Sequence, residues 1–267
     1  MKTRTSVILP DTHLGSQDKA ALRVALKIIE HYSPERVVYL GDMLEVHSAS
    51  SHGSSDRREE LSATYIEELR DCVALLDLVE DMPGVVEQVF IEGNHEQRVE
   101  RWAMSMGRFA KEIVDLISPK TVLSKGRKHP FTWVPYKNAG TPGVVELAPG
   151  LFGCHGWSTA KHAAHAHLRR AGGFSVIHGH THRRQSYAER NPITNAPIEA
   201  RSPGCLAKLQ PLWVNSPTVW THGVCVLQEV GDQWSLFTIP IDRGTAILPN
   251  GLLINAGAED SVLAGVA

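Results

Sequence analysis

Five times before residue 183 a short apolar run stops at a cluster of Asp, Asn, His and Gly. Val7-Ile8-Leu9 leads to Asp11-x-His13, Val37-Val38-Tyr39-Leu40 to Gly41-Asp42, and Val85 to Ile91 leads to Gly93-Asn94-His95-Glu96. Leu151-Phe152-Gly153-Cys154 leads to His155-Gly156, and Phe174-Ser175-Val176-Ile177 to His178-Gly179-His180-x-His182. Short apolar runs bounded by turn residues read as buried strands. Between them lie helical patterns: Lys19 to His31 with Leu22, Leu26 and Ile29, Arg57 to Asp81 with Leu61, Tyr65, Leu69, Val73 and Leu76, Gln97 towards Ala110, and Thr159 to Ala171. Strand, crossover helix, strand makes neighbouring strands parallel, so their carboxyl ends share one edge of the sheet. Ligands of open α/β sheets bind outside that edge, so the five clusters are expected to converge there.

The rest of the chain is less patterned. Residues 119–149 are rich in Pro, Gly and Lys and read as a loop-rich insertion with short strands, one wall of the site. Beyond Arg184 the pattern turns to alternating strands, notably Gly223 to Glu229 and Trp234 to Ile241, which suggests a second, more antiparallel sheet packed on the first. We expect one domain over 1–255 and a small-residue tail over 256–267. Residues are 42% hydrophobic and 21% charged, which excludes a disordered chain. No apolar run reaches the roughly 18 residues a spanning helix needs, so no membrane partner is expected. The apolar stretch after Met1-Lys2-Thr3-Arg4-Thr5-Ser6 is too brief for a signal peptide, and Cys72, Cys154, Cys205 and Cys225 form no CxxC pair; a reducing, cytoplasmic setting fits. A net charge of −2 gives no global attraction to nucleic acid, so any polyanion site must be local.

Carboxylate, amide and imidazole donors suit manganese, iron, zinc or nickel, and the lack of thiolate ligands argues against a structural zinc. Two such ions about 3.5–4 Å apart can clamp both the attacking and the leaving oxygen of a phosphoryl group and acidify a bridging water. That supplies a nucleophile without a Ser or Cys. Any one of the clusters alone is an ordinary turn or helix cap. His155 is the weakest alone, because His162, His165 and His167 compete with it; it is preferred because it ends a strand.

The ordered series Asp11-x-His13, Gly41-Asp42, Gly93-Asn94-His95-Glu96, His155 and Gly179-His180-x-His182 resembles the calcineurin-like metallophosphoesterase superfamily, across residues 11 to 182. The resemblance implies an α/β fold of two packed mixed sheets flanked by helices, a four-layer sandwich with a dimetal site at the carboxyl ends of its strands. It implies that Asp11, His13 and His182 hold one divalent ion, that Asn94, His155 and His180 hold the other, and that Asp42 bridges them. Manganese is the first expectation for both, with iron, zinc or nickel as alternatives. His95, left without a metal, is expected to face the substrate and act as the acid, with Asp42 the other catalytic residue; Glu96 is expected to orient a histidine ligand.

Arg98, Arg183 and His52 are the candidate substrate contacts. The second cluster lacks the arginine of the GDxVDRG pattern of protein Ser/Thr phosphatases, which demotes protein dephosphorylation. Ser50-x-His52, Gly93 to Arg98 and Trp220-x-x-Gly223 look like the small stand-alone metallophosphoesterases of phages and prophages. The expected activity is hydrolysis of phosphodiesters by a metal-bridging hydroxide, with DNA or nucleotides as substrates. The alternatives are a phosphomonoesterase acting on a small molecule or nucleic-acid end, and, more distantly, a non-catalytic scaffold with this fold.

Overall fold

The computed structural model describes residues 3–46, 64–107, 110–138, 141–211 and 214–257. The chain opens with β1 (Thr3–Leu9), α1 (Lys19–Tyr32) and β2 (Arg36–Tyr39), then α2 (Tyr65–Glu80), β3 (Glu87–Ile91) and α3 (Asn94–Met104). Local chemistry sets these bounds. Asp18 accepts a hydrogen bond from the Ala21 N–H at 2.8 Å and so starts α1, and Ser33, at φ 42°, turns the chain out of it. Thr64 and Glu67 exchange side-chain and backbone hydrogen bonds in a capping box that starts α2. The part of the expected Arg57 to Asp81 helix before Thr64 lies outside the described residues.

Residues 119–149 are a passage between two sheets. After α4 (Ala110–Ile117) they carry α5 (Pro119–Leu123), β4 (Phe131–Val134), the small ribbon β5 (Lys137–Asn138) and β6 (Thr141–Pro142), and β7 (Val144–Ala148). Then come β8 (Leu151–Cys154), α6 (Ala163–Arg170), β9 (Ser175–His178), β10 (Arg184–Arg190), β11 (Pro197–Pro203), β12 (His222–Val230), β13 (Gln233–Asp242), β14 (Thr245–Ile247) and β15 (Leu253–Asn255). One sheet runs β15-β14-β13-β12-β1-β2-β3-β4 and the other β10-β11-β9-β8-β7. Both mix parallel and antiparallel pairs. The strands at Gly223 to Glu229 and Trp234 to Ile241 therefore do not form the second sheet as expected. β12 pairs antiparallel with β1 and widens the first sheet, while β10 and β11 join β7, β8 and β9 in the second. The alternation that announces a strand does not say which edge it will pair with, and the free edge of β1 took β12.

The layers follow from strand periodicity. Val7 and Leu9 face the core shared with α1 and α2, while Ile8, Val38, Leu40, Val89 and Ile91 face Leu147, Leu151 and Ile177 of the second sheet. A sheet buried on both faces needs continuous apolar strands, which is why these runs do not alternate. A third cluster, including Cys154, Val176 and Ala200, lies under Leu168 of α6. The result is helices, sheet, sheet, helix. Of the expected tail, 256 and 257 are described, and Ala256 is buried with its N–H donated to the Gly244 carbonyl. No helix among the described residues is long and apolar enough to cross a membrane.

Candidate metal centre

Parallel register brings the strand ends level: Leu9 pairs with Tyr39, Tyr39 with Phe90, and, in the other sheet, Cys154 with His178. All seven candidate ligands come together just beyond these ends. Asp11, His13, Asp42 and His182 bring ligand atoms within 4.8 Å of one another, and Asp42, His155 and His180 do the same. Asn94 completes the second group, with Oδ1 3.0 Å from His155 Nε2. Asp42 is common to both. His155 lies as centrally as the rest, its Nε2 3.2 Å from Asp42 Oδ2 and 3.2 Å from His180 Nδ1.

The motif glycines belong to this packing. A Cβ on Gly93 would sit 2.1 Å from Asp42 Oδ1, and one on Gly41, at φ +90°, would sit 2.6 Å from His155 Nδ1. Five further residues of the same loops take left-handed backbone: His13, Asp42, Val46, His180 and His182, at φ between 49° and 69°. Strain of this kind costs about 1–3 kcal/mol per residue and persists where the surroundings over-determine it.

The donors are oriented for cations. His155 donates its Nδ1–H to the Leu40 carbonyl at 2.8 Å, and His13 Nδ1 lies 2.8 Å from Glu45 Oε2, so both rings turn Nε2 inward. His13 Nε2 and His182 Nε2 lie 3.1 Å apart. Asp11 is fully buried; its Oδ1 accepts the His180 N–H at 2.8 Å, but Oδ2 has no hydrogen-bond partner among the described residues. Buried polar atoms are ordinarily satisfied, so this one fits a metal ligand. The field agrees. Burial opposes charge on His13, but Glu45, then Asp42 and Asp11, outweigh it and raise the ring to about 9. Burial is likewise overcome at His155 by Asp42 and Asp11, raising it to about 9. Asp42 is held well below the usual carboxylate range, burial being outweighed by His155, His95 and His13. A pocket that draws positive charge onto imidazoles this strongly accommodates divalent cations, and the donor chemistry suits them.

The other expectations land unevenly. His95 lies against the site, its Nε2 3.8 Å from Asp42 Oδ2 and its ring edge-on to His13 at 4.6 Å between centroids. Its Nδ1 lies 2.8 Å from the Glu45 carbonyl. Burial, then the charges of His13 and Arg98, lower it to about 4 against the pull of Asp42 and Glu45, so the neutral ring is favoured over the expected imidazolium. Arg98 accompanies it, with Nη2 2.7 Å from His95 Nε2 and Nη1 donating to the Glu45 carbonyl at 3.0 Å. Arg183 instead donates to the carbonyls of Thr159, Ala160 and Lys161. His52 lies outside the described residues. Glu96 orients no histidine: it accepts the N–H groups of Asp42 (3.0 Å), Leu44 (2.9 Å) and Gly93 (2.8 Å) and ties two ligand loops together. Trp220, noted in the sequence only as part of Trp220-x-x-Gly223, brings its ring to 4.1 Å from that of His182, and Glu45 was not singled out at all. Glu45 lies three residues after Asp42, and that proximity was the available signal.

Two mixed sheets flanked by helices, with a buried His/Asp cluster at the ends of their parallel strands, are the arrangement expected from the sequence. No family model matches the chain. A curated relative, the gene 54 protein of Mycobacterium phage L5, is 26% identical over 189 residues, 66% of this chain and 68% of that protein. Among solved structures, Vps29 of Entamoeba histolytica complexed with zinc is 11% identical and covers 95% of this chain and 99% of that one, with a TM-score of 0.40. YfcE, a phosphoesterase from E. coli, is 16% identical and covers 89% and 100%, with a TM-score of 0.35.

Proposed function

We propose that the chain is a dimetal-dependent phosphoesterase that hydrolyses phosphodiesters, with DNA or nucleotides as its substrates. The observation that carries this reading is the meeting of all seven donors in two groups that share Asp42. Asp11, His13 and His182 would hold one ion, Asn94, His155 and His180 the other, with Asp42 between; manganese is the first candidate. When bound, the ions supply positive charge to the phosphoryl oxygens and acidify the attacking water.

The chain's own groups do the rest. Leu40 and Glu45 fix the His155 and His13 rings. Glu96 holds the Asp42 and Gly93 backbones in register. His95 Nε2 lies 3.8 Å from Asp42 Oδ2 and 2.7 Å from Arg98 Nη2, so it would hand a proton to the leaving oxygen once an arriving phosphoryl anion draws the guanidinium off the ring and favours its protonated form. A monoester dianion would call for a further cationic donor, and Arg183, the sequence neighbour of His182, is committed to three carbonyls. This supports the diester. All four cysteines are buried and unpaired, which supports a cytoplasmic setting.

The test is a Mn²⁺-supplemented panel of chromogenic mono- and diesters, cyclic nucleotides, single- and double-stranded DNA and RNA, run beside metal analysis. Two ions per chain and a preference for diesters are expected. Fewer than two ions after loading overturns the dimetal reading, a monoester preference turns the enzyme into a phosphatase, and full metal occupancy with no turnover identifies a scaffold.

A further inference from the structure

α6 buries the stripe Ala163, Ala164, His167 and Leu168, so of the three histidines that compete with His155 in the sequence only His167 is buried; His162 and His165 are exposed. Both ring nitrogens of His167 are engaged. Nδ1 lies 2.7 Å from the Ala163 carbonyl, and Nε2 accepts the Trp157 N–H at 3.0 Å. A carbonyl can only accept and a backbone N–H can only donate, so the ring is neutral, with its hydrogen on Nδ1. Its face stacks on the ring of His178 at 3.6 Å between centroids, with the planes 8° apart. His167 thus meets the segment after β8 through a hydrogen bond and the last residue of β9 through a ring.

These two strand ends carry two of the three ligands assigned to one ion. Cys154 and His178 pair across β8 and β9; His155 directly follows the first, and His180 lies two residues beyond the second. Only Gly156 stands between His155 and Trp157. Its φ is +133°, and a Cβ there would lie 2.9 Å from the His180 Cβ and 3.3 Å from His167 Nε2. Glycine adds no stiffness of its own, so the His155 backbone is fixed by β8 on one side and by the bond from Trp157 to His167 on the other. The ligands of the other ion are tied elsewhere: His182 accepts the Thr221 N–H at 2.8 Å, and His13 donates its N–H to the Asp42 carbonyl at 2.9 Å. Groups that orient a metal-binding histidine without touching the metal set its affinity as the ligands do. Here such a group is itself a histidine, acting through the backbone.

We propose that His167 is a positioning residue for the ion assigned to Asn94, His155 and His180, through the acceptor it offers the Trp157 N–H; this inference rests on the dimetal reading above. The test is calorimetric titration of the full chain with Mn²⁺, in wild type and in His182→Ala and His180→Ala, each of which leaves one ion site. His167→Phe keeps a flat ring against His178 and removes the acceptor, whereas His167→Gln keeps an acceptor at similar reach and removes the ring. Added to His182→Ala, His167→Phe should weaken the remaining ion about 10–100-fold, and His167→Gln should hold it within about threefold. Added to His180→Ala, neither should change the remaining ion by more than about threefold. Equal weakening in the two backgrounds, weakening by His167→Gln as large as by His167→Phe, or none by His167→Phe overturns the proposal. If the wild type binds fewer than two ions, the dimetal reading falls, and hydrogen exchange of the Trp157 amide in EDTA then decides the anchor by itself. Exchange about tenfold or more faster in His167→Phe than in wild type and His167→Gln keeps His167 as the anchor of residues 155–157, and equal exchange overturns that too.

Discussion

Glu68 offers a test of how the site's surroundings are held. It is buried in α2, and one of its oxygens, Oε2, accepts the N–H groups of Glu45 (3.0 Å) and Val46 (2.7 Å). Burial, with the charge of Glu45 adding to it, raises its carboxyl from 4.5 to about 7 against those two hydrogen bonds. Between these values the native state binds the proton that the unfolded chain has lost, so this group makes stability fall as pH rises from about 4.5 to about 7. A shift of that size is worth about 3 kcal/mol above pH 7. Glu68→Gln keeps an acceptor for both N–H groups, since they share one oxygen, and removes the buried charge. The variant should therefore match wild type near pH 4.5 and exceed it by up to about 3 kcal/mol at pH 8, with urea denaturation in EDTA at both pH values as the assay. Equal pH dependence in the two proteins, or a variant less stable than wild type at pH 8, would refute the reasoning.

Three further substitutions probe the centre itself. Gly93→Ala has ordinary φ but drives a Cβ to within 2.1 Å of Asp42 Oδ1, so it should cost about 1–3 kcal/mol and lower metal occupancy, read by denaturation and metal analysis. Glu96→Ala strips the acceptor from the N–H groups of Asp42, Leu44 and Gly93 and should cost about 3 kcal/mol while reducing bound metal below two ions; unchanged occupancy would mean the loops hold themselves. His95→Ala should keep both ions and lower kcat for a diester about 100-fold, and unchanged turnover with metals bound would remove His95 from the reaction.

How much of this was legible follows from where the information lies. β1, β8 and β9 were readable because burial on both faces demands unbroken apolar runs, and the ligands were readable because they end those runs. His155 could be preferred over His162, His165 and His167 on that ground alone, and its Nε2 lies 3.2 Å from Asp42 Oδ2. Pairing partners were not readable. The alternation of β12 and β13 is the same whichever sheet they join, and residues 119–149 carry a passage between sheets whose short elements, α5, β4 and β7, are fixed by what they dock on. Arg98 and Arg183 both follow ligand motifs within a few residues, yet one lies on α3 beside His95 and the other reaches back to the 159–161 carbonyls. Glu45, Glu68 and Glu96 escaped a functional reading or received the wrong one because they act on backbone or on a ring of another segment, which spacing does not record.

The same carboxylates explain how the site tolerates its own strain. His13, Asp42, Val46, His180 and His182 all carry left-handed backbone, and at about 1–3 kcal/mol apiece their sum rivals the whole stability of a domain. Each is tied from outside its own loop. His13 donates its N–H to the Asp42 carbonyl, Asp42 donates to Glu96, Val46 donates to Glu68, His180 donates to Asp11, and His182 accepts from Thr221. Glu68 and Glu96 are therefore anchors whose buried charge opposes the stability they serve, and the stabilisation expected from Glu68→Gln measures that opposition directly. The amide keeps the two bonds at Glu45 and Val46 but weakens each by removing its charge assistance. The gain in stability should come with a looser Glu45, and hence a less firmly oriented His13 ring.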